Sequence, residues 1–172
     1  MRRRQSLPRL WLMTDERQGK SLRAAVERLP AGSGIVFRHY RMPAADRGRI
    51  FADVLALARR RGLTVLVAGL PLPGGDGVHN RRGRGIRSMS AHNLRELKAA
   101  ERAGADLVFL SPVFATRSHP GAASLGATRF NRLARMTHLP VIALGGMDAA
   151  RFRSLPGAWG WAGIDALTPE GG

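Results

Sequence analysis

Short apolar runs alternate with segments of helical spacing along almost the whole chain. The runs cover 10–14, 34–39, 63–68, 77–79, 86–90, 106–111, 140–144 and 160–167. They are rich in β-branched residues and leucine and end in Gly, Pro, Ser or Asn, the pattern of strands buried on both faces in a parallel sheet. Between them, 21–29, 45–61, 93–103, 128–136 and 148–155 carry helical periodicity. The third of these opens on Asn93 with Glu96 three residues later and stops at Gly104, a helix with both ends marked.

Strand, helix, strand alternation implies right-handed crossovers, and eight strands point to an α/β fold of the closed TIM (β/α)8 barrel type. Eight units in 172 residues leave about 21 residues each, where a barrel of ordinary size has about 31. The gaps at 69–76 and 80–85 are too short and too rich in Gly, Pro and Arg to hold helices. The expectation is therefore a shortened barrel in which the helices after strands 3 and 4 are reduced to loops. That leaves one flank thinly covered, and self-association into a homo-oligomer is expected to protect it. One barrel domain is expected over 9–167, with 1–8 as a basic N-terminal tail and 168–172 as a C-terminal tail.

Composition narrows the function classes. The chain has no cysteine, which excludes a disulfide scaffold, a thiolate zinc site and a cysteine nucleophile. The basic start Met1–Arg4 is followed by an apolar stretch too short for an export signal and then by Asp15 and Glu16. No run approaches a membrane span, so a soluble, cytoplasmic protein without a membrane partner is expected. Net charge is +16, carried by 26 arginines and only two lysines scattered over every segment. Such a charge favours phosphorylated or other polyanionic ligands. With a single tyrosine and few aromatics, however, nothing resembles a base-stacking surface, which argues against a nucleic-acid partner.

In a parallel barrel, chemistry collects where strands run out at their C-terminal ends. Those ends here are rich in hydroxyls, imidazoles, guanidiniums and glycines, and poor in carboxylates. They include Arg38 and His39, His79 to Arg82, Ser90 to Asn93, Ser111 to Pro120, Gly145 and Gly146, and Ile164 with Asp165. The scarcity of acids argues against paired-carboxylate glycosidase chemistry and against an oxygen-ligated metal. Gly145 and Gly146 close a strand just before a helix start, a place where free amides accept phosphate. Replacement of Gly146 by Asp is expected to abolish that binding and leave the fold intact.

Five stretches, taken in order, resemble the thiamine phosphate synthase and TenI family. They are Leu10-Trp11-Leu12-Met13-Thr14-Asp15, Asp76-Gly77-Val78-His79, Ser90-Ala91-His92-Asn93, Gly104 to Thr116, and Val141-Ile142-Ala143-Leu144-Gly145-Gly146-Met147. The stretch from Ser111 to Pro120 is most similar to the branch of that family sometimes fused to Nudix hydrolases. The resemblance implies a barrel that joins hydroxymethylpyrimidine diphosphate to a thiazole phosphate and releases pyrophosphate. It implies pyrophosphate binding by Arg38, with His119 in the place of the family's lysine, as the catalytic pair. It implies substrate binding by Ser90, Thr116, Ser118, Gly145 and Gly146, to which the strand-end position adds Ile164.

Departures accompany the resemblance. The family holds magnesium through two aspartates after the third and fourth strands, and this chain has Ala68-Gly69-Leu70-Pro71 and Asn80-Arg81-Arg82 there. No metal ligand is identified, and Arg81 and Arg82 are further candidate contacts for a diphosphate, since a guanidinium fork matches phosphate oxygens. A serine that touches the thiazole phosphate in the family is Asp165 here, and a histidine used by TenI-type tautomerases is Pro112. Two other readings stand beside the synthase: a catalytically silent barrel that binds thiamine phosphates or their precursors as a sensor, and a polyanion-binding protein driven by charge.

Overall fold

The computed structural model describes residues 6–116, 121 and 123–169. Eight parallel strands close into a barrel in chain order: β1 (Leu10–Met13), β2 (Gly34–Phe37), β3 (Thr64–Ala68), β4 (Gly77–His79), β5 (Ile86–Ala91), β6 (Leu107–Leu110), β7 (Val141–Ala143) and β8 (Gly160–Gly163). The ring is sealed by β1 against β8, with Leu10 opposite Trp161 and Leu12 opposite Gly163. Arg9 reinforces the seam: its carbonyl accepts the Trp161 amide at 2.8 Å and its Nε donates to the Trp159 carbonyl at 2.7 Å.

Alternation along the strands divides the apolar residues into two layers. Trp11, Met13, Val36, Leu66, Leu107, Phe109 and Ile142 fill the barrel interior. There the indole of Trp11 lies across β2 at Gly34, where any Cβ would stand 2.2 Å from the ring. The alternate positions, such as Ile35, Phe37, Val65 and Val67, face the helices α1 (Ser21–Arg28) and α2 (Ala44–Arg61). Val108, Leu110, Val141 and Ala143 do the same against α3 (Leu94–Arg102), α4 (Gly126–Ala134) and α5 (Ala149–Phe152).

No helix separates β3 from β4 or β4 from β5, as the length arithmetic required. The loops cover the strands with bare backbone. A Cβ on Gly75 would lie 2.9 Å from Val67, and one on Gly83 would lie 2.6 Å from Val78. Glycine is what lets a loop approach closely enough to shield a strand side chain that a helix would otherwise cover. Arg59, near the end of α2, pins the first loop by donating to Asp76 at 2.7 Å and to the Gly74 carbonyl at 2.6 Å. Val78 is 9% exposed, so the loop shields it as a helix would.

The elements near the C-terminal end of the barrel sequence and the turn after β1 differ most from the expectation. The last apolar run, 160–167, ends as a strand at Gly163, and Asp165–Leu167 forms a 3-10 turn. Thr168 accounts for it by donating from its amide to the Asp165 carbonyl at 3.1 Å and from its hydroxyl to the Ile164 carbonyl at 2.7 Å. The helix expected over 148–155 is only Ala149–Phe152, followed by turn hydrogen bonds through Leu155. After β1 a turn at Glu16–Gln18 is held by a reciprocal cap between Asp15 and Gln18, a signal that the hydropathy pattern does not carry. Among the described residues, no helix is long and apolar enough to cross a membrane.

Candidate functional site

A cleft of about 240 Å³ opens at the C-terminal end of the barrel. Arg38 after β2, Thr116 in the loop after β6, Gly145 and Gly146 after β7, and Ile164 after β8 all line it. Four separate strand ends thus bring five residues singled out in the sequence to one place. Ser111, Pro112, Met147, Asp165 and His92 complete most of the wall.

The two glycines are there of necessity. Gly145 has φ +99° and Gly146 φ +58°, values that residues with a Cβ rarely adopt. A Cβ on Gly145 would lie 2.8 Å from Pro112 Cα, and one on Gly146 would lie 2.4 Å from the Ala115 carbonyl oxygen. The Gly145 carbonyl accepts the Phe114 amide at 3.1 Å, and the Gly146 carbonyl is held by the Arg151 guanidinium. The turn after β7 and the loop after β6 are therefore laced together. For that reason Gly146→Asp cannot be a purely electrostatic change, contrary to the expectation of an intact fold.

Arg38 is fixed by the end of β1. Its amide donates to Thr14 Oγ1 at 2.9 Å and its Nε to the Thr14 carbonyl at 3.0 Å, while Asp15 Oδ2 stands 3.8 Å from Nη2. Burial pulls the Arg38 pKa below its ordinary value, with Tyr40 and Asp15 opposing. Asp15 itself is committed to Arg17 through two hydrogen bonds of 2.8 and 3.1 Å, which hold its carboxyl below the usual range. Thr14 also meets His39 Nδ1 at 3.0 Å. Having accepted the Arg38 amide, the Thr14 hydroxyl is placed to donate its own proton to a neutral imidazole. His39 is 2% exposed and burial lowers its pKa, so it serves the framework under Arg38.

Arg47 of α2 builds the neighbouring strand ends. Although only 4% exposed, it meets no carboxylate among the described residues and donates to three carbonyls: His39 at 2.8 Å, Leu70 at 3.0 Å and Ala68 at 2.6 Å. One guanidinium thus ties the exits of β2 and β3. At the exit of β4, Asn80 takes φ +54° and turns the chain outward, its Oδ1 accepting the Ser90 amide at 2.7 Å. Asn is among the few side chains that tolerate that conformation. Arg81 then reaches back over β3, its Nη1 donating to the Gly69 carbonyl at 3.3 Å. Arg82 is exposed.

Ser90 does not line the cleft. Its hydroxyl accepts from Asn80 Nδ2 at 3.1 Å and lies 3.3 Å from His79 Nε2. His79 is 3% exposed, is hydrogen-bonded to Ser88 Oγ at 2.9 Å through Nδ1, and has its pKa pushed down to about 4 by burial and by the charge of Arg38. In place of Ser90, His92 reaches the cleft, hydrogen-bonded through Nδ1 to Glu96 at 2.8 Å. Ser118 and His119 lie outside the described residues. Ser111 was legible only by its position at a strand end, and Met147 only by its place after the glycine pair.

The magnesium implied by the resemblance needs carboxylates after β3 and β4. β3 runs out into Gly69 and Leu70, and β4 into Asn80 and Arg81. Asp76, the nearest acid in the chain, sits at the opposite end of the barrel, where it accepts the Val65 amide at 2.8 Å and pairs with Arg59. Among the described residues no three His, Cys, Asp or Glu side chains come together as metal ligands. The residues present do not fit that ion.

Residues 81–167 match the family model described as thiamine monophosphate synthase. The chain is 31% identical over 183 residues to the thiamine-phosphate synthase of Chloroflexus aurantiacus, covering 92% of this chain and 84% of that one. It is 41% identical over 81 residues to the putative thiamine-phosphate synthase 2 of Aquifex aeolicus, an alignment that spans 46% of this chain and less than half, 44%, of the relative. Among solved structures, thiamine phosphate pyrophosphorylase from Pyrococcus furiosus superposes with a TM-score of 0.78 over 96% of this chain and 90% of that one, at 23% identity.

Proposed function

This chain belongs to the thiamine monophosphate synthase family, and from that premise we propose that it joins hydroxymethylpyrimidine diphosphate to a thiazole phosphate to make thiamine phosphate. In this reaction the bond between the pyrimidine methylene carbon and the diphosphate oxygen breaks, and pyrophosphate departs with the electron pair. The thiazole nitrogen supplies its lone pair to the same carbon and forms the new C–N bond. The step transfers no electrons to a cofactor and demands little proton movement. What it demands is stabilisation of charge on the leaving group and alignment of two bound reactants.

One observation supports this reading above the others: a single cleft at the C-terminal mouth is lined by Arg38, Thr116, Gly145, Gly146 and Ile164. In the proposed arrangement the thiazole phosphate lies against the backbone of Gly145 and Gly146 beside Ile164, and Thr116 with Ser118 orients the thiazole ring. Arg38, with His119, faces the departing pyrophosphate. Ser90 acts on the substrate side only through its link to His79 and Asn80. The working unit is the barrel over 9–167.

A second reading, a barrel that binds these phosphates without turnover, is favoured by one feature: Asp165 puts a carboxylate in the cleft wall, where it repels a phosphate. The two readings part in one experiment. The protein is incubated with both substrates, released pyrophosphate is followed and the product is identified by mass. Growth complementation of a strain lacking its own thiamine phosphate synthase provides the cellular counterpart. Synthesis above the uncatalysed background supports the synthase, and saturable binding of the thiazole phosphate without synthesis supports the silent barrel.

A further inference from the structure

The family resemblance and the residues at the barrel mouth disagree at one end of the site, the end that must hold a diphosphate. From that disagreement, and resting on the synthase reading above, we propose that this site binds the diphosphate without a divalent cation, its charge being met by the guanidiniums of Arg38 and Arg81.

The mouth offers no carboxylates where a bridging metal would need them. After β2 come Arg38, His39, Tyr40 and Arg41, after β3 Gly69 and Leu70, and after β4 Asn80, Arg81 and Arg82. Among the acids at the mouth, Asp15 after β1 pairs with Arg17 and lies 3.8 Å from Arg38, Glu16 accepts the Arg41 amide, and Asp148 and Asp165 follow β7 and β8. A magnesium ion takes hard oxygen ligands, usually one or two carboxylates alongside substrate phosphates. Three successive strand ends that present only cations and neutral groups repel such an ion instead of collecting it.

The same three ends supply what an ion would have supplied. Phe37 of β2 is in register with Val67 of β3, so Arg38 leaves its strand beside Ala68, one position before Gly69. The Arg81 side chain lies over Gly69, and Arg38 is anchored by Thr14. Both anchors are carbonyls that use one N–H group each, and an arginine has five. The remaining N–H groups of each fork stay available for phosphate oxygens, with Asp15, 3.8 Å from Arg38 Nη2, offsetting part of that arginine's charge. Arg47, by contrast, spends its guanidinium on three carbonyls and is structural. A diphosphate that spans the exits of β2 and β3 brings its phosphates toward both guanidiniums. The family model also stops short of this end: its match begins at residue 81, after β2, β3 and β4.

The test is calorimetric titration of the full chain with inorganic pyrophosphate, in excess chelator and again with magnesium, allowing for the fraction of pyrophosphate that magnesium complexes in solution. Arg38→Met and Arg81→Met are titrated in parallel, with Arg81→Lys to retain charge and lose the fork. The wild-type affinity is expected to differ less than threefold between the two conditions and to fall as salt rises. Each methionine variant is expected to lose at least tenfold in chelator, with Arg81→Lys between them and wild type. A wild-type loss of tenfold or more on removing magnesium overturns the proposal, as does undiminished binding by Arg81→Met or no binding in either condition. The synthase reading fails separately. Chelator-insensitive pyrophosphate binding without thiamine phosphate synthesis overturns that reading alone, whereas synthesis that stops in chelator overturns this proposal alone.

Discussion

Thr14 holds Arg38 from two directions, its hydroxyl accepting the Arg38 amide at 2.9 Å and its carbonyl accepting Nε at 3.0 Å. Thr14 is fully buried at the exit of β1, so Arg38 is positioned from beneath by a residue that belongs to the framework of the barrel. The hydroxyl also faces His39 Nδ1, which couples the first two strand ends.

Thr14→Val keeps the shape of the side chain and removes the hydroxyl that serves Arg38 and His39. Leaving a buried amide and an imidazole nitrogen unpaired costs about 1–3 kcal/mol. The expected outcome is a lower melting temperature together with a fall in kcat larger than the change in KM for the thiazole phosphate. Thr14→Ser, which restores the hydroxyl, is expected to recover most of kcat. Loss of stability with unchanged kcat would show that Arg38 does not depend on this anchor.

Gly146→Ala adds one methyl group at φ +58°, 2.4 Å from the Ala115 carbonyl oxygen. Strain of that kind costs about 1–3 kcal/mol. Thermal unfolding and thiazole phosphate titration are expected to show both losses in the one variant. A variant that binds normally would place the phosphate elsewhere in the cleft.

Asp165→Ser removes a carboxylate from the cleft wall and installs the residue type that the family resemblance leads one to expect. The KM for the thiazole phosphate is expected to fall severalfold, with the pyrimidine diphosphate KM unchanged. Steady-state kinetics varying each substrate in turn decides it, and an unchanged thiazole phosphate KM counts against a phosphate near Asp165.

His79 links stability to pH. Its pKa is pushed from 6.5 down to about 4 in the folded protein, so between those values the unfolded chain binds the extra proton and the native state does not. Stability therefore rises with pH across that window and is lost as pH falls from 6.5 toward 4, by up to about 3 kcal/mol. The lowered pKa of His39 acts in the same direction. Urea unfolding at several pH values is expected to show this slope, and His79→Gln is expected to flatten it by close to one proton. An equal slope in the variant would assign the acid sensitivity to other groups.

Arg47→Met deletes three hydrogen bonds to carbonyls, those of His39 and Ala68 buried and that of Leu70 part-buried, and is expected to cost about 2–3 kcal/mol, from the penalty of leaving buried acceptors unpaired. Arg47→Lys is expected to recover only part, because one ammonium cannot span the three carbonyls as the planar guanidinium does. Chemical denaturation of the two variants against wild type measures the difference.

The strands and the two missing helices were readable from the chain because each depends on local pattern and on length. Leu63 to Ala68 reads as a buried strand with no knowledge of its neighbours, and no helix fits between Asn80 and Gly85. The gathering of Arg38, Thr116, Gly145, Gly146 and Ile164 followed from the rule that a parallel barrel collects its strand ends on one side. The packing was not readable. Nothing in the order of residues says that Arg47, on the charged face of a helix pattern, turns inward to bind three carbonyls, or that Ser90 is taken up by Asn80 and His79. The turn at Asp165–Leu167 was hidden because Ala, Leu and Ile look the same in a hydropathy pattern whether the backbone extends or curls.

The seam between β1 and β8 ties Arg9 to Trp159, 150 positions away along the chain. Synthesis delivers residues in order, so β1 is finished long before its second neighbour exists. Until Gly160–Gly163 arrives, the growing chain carries two unpaired strand edges, and an open edge is a template for any other strand nearby. Ring closure is also the longest-range contact to form, which makes it slow in entropic terms. In the cell, this barrel is therefore most vulnerable to aggregation during the interval before its last strand is released.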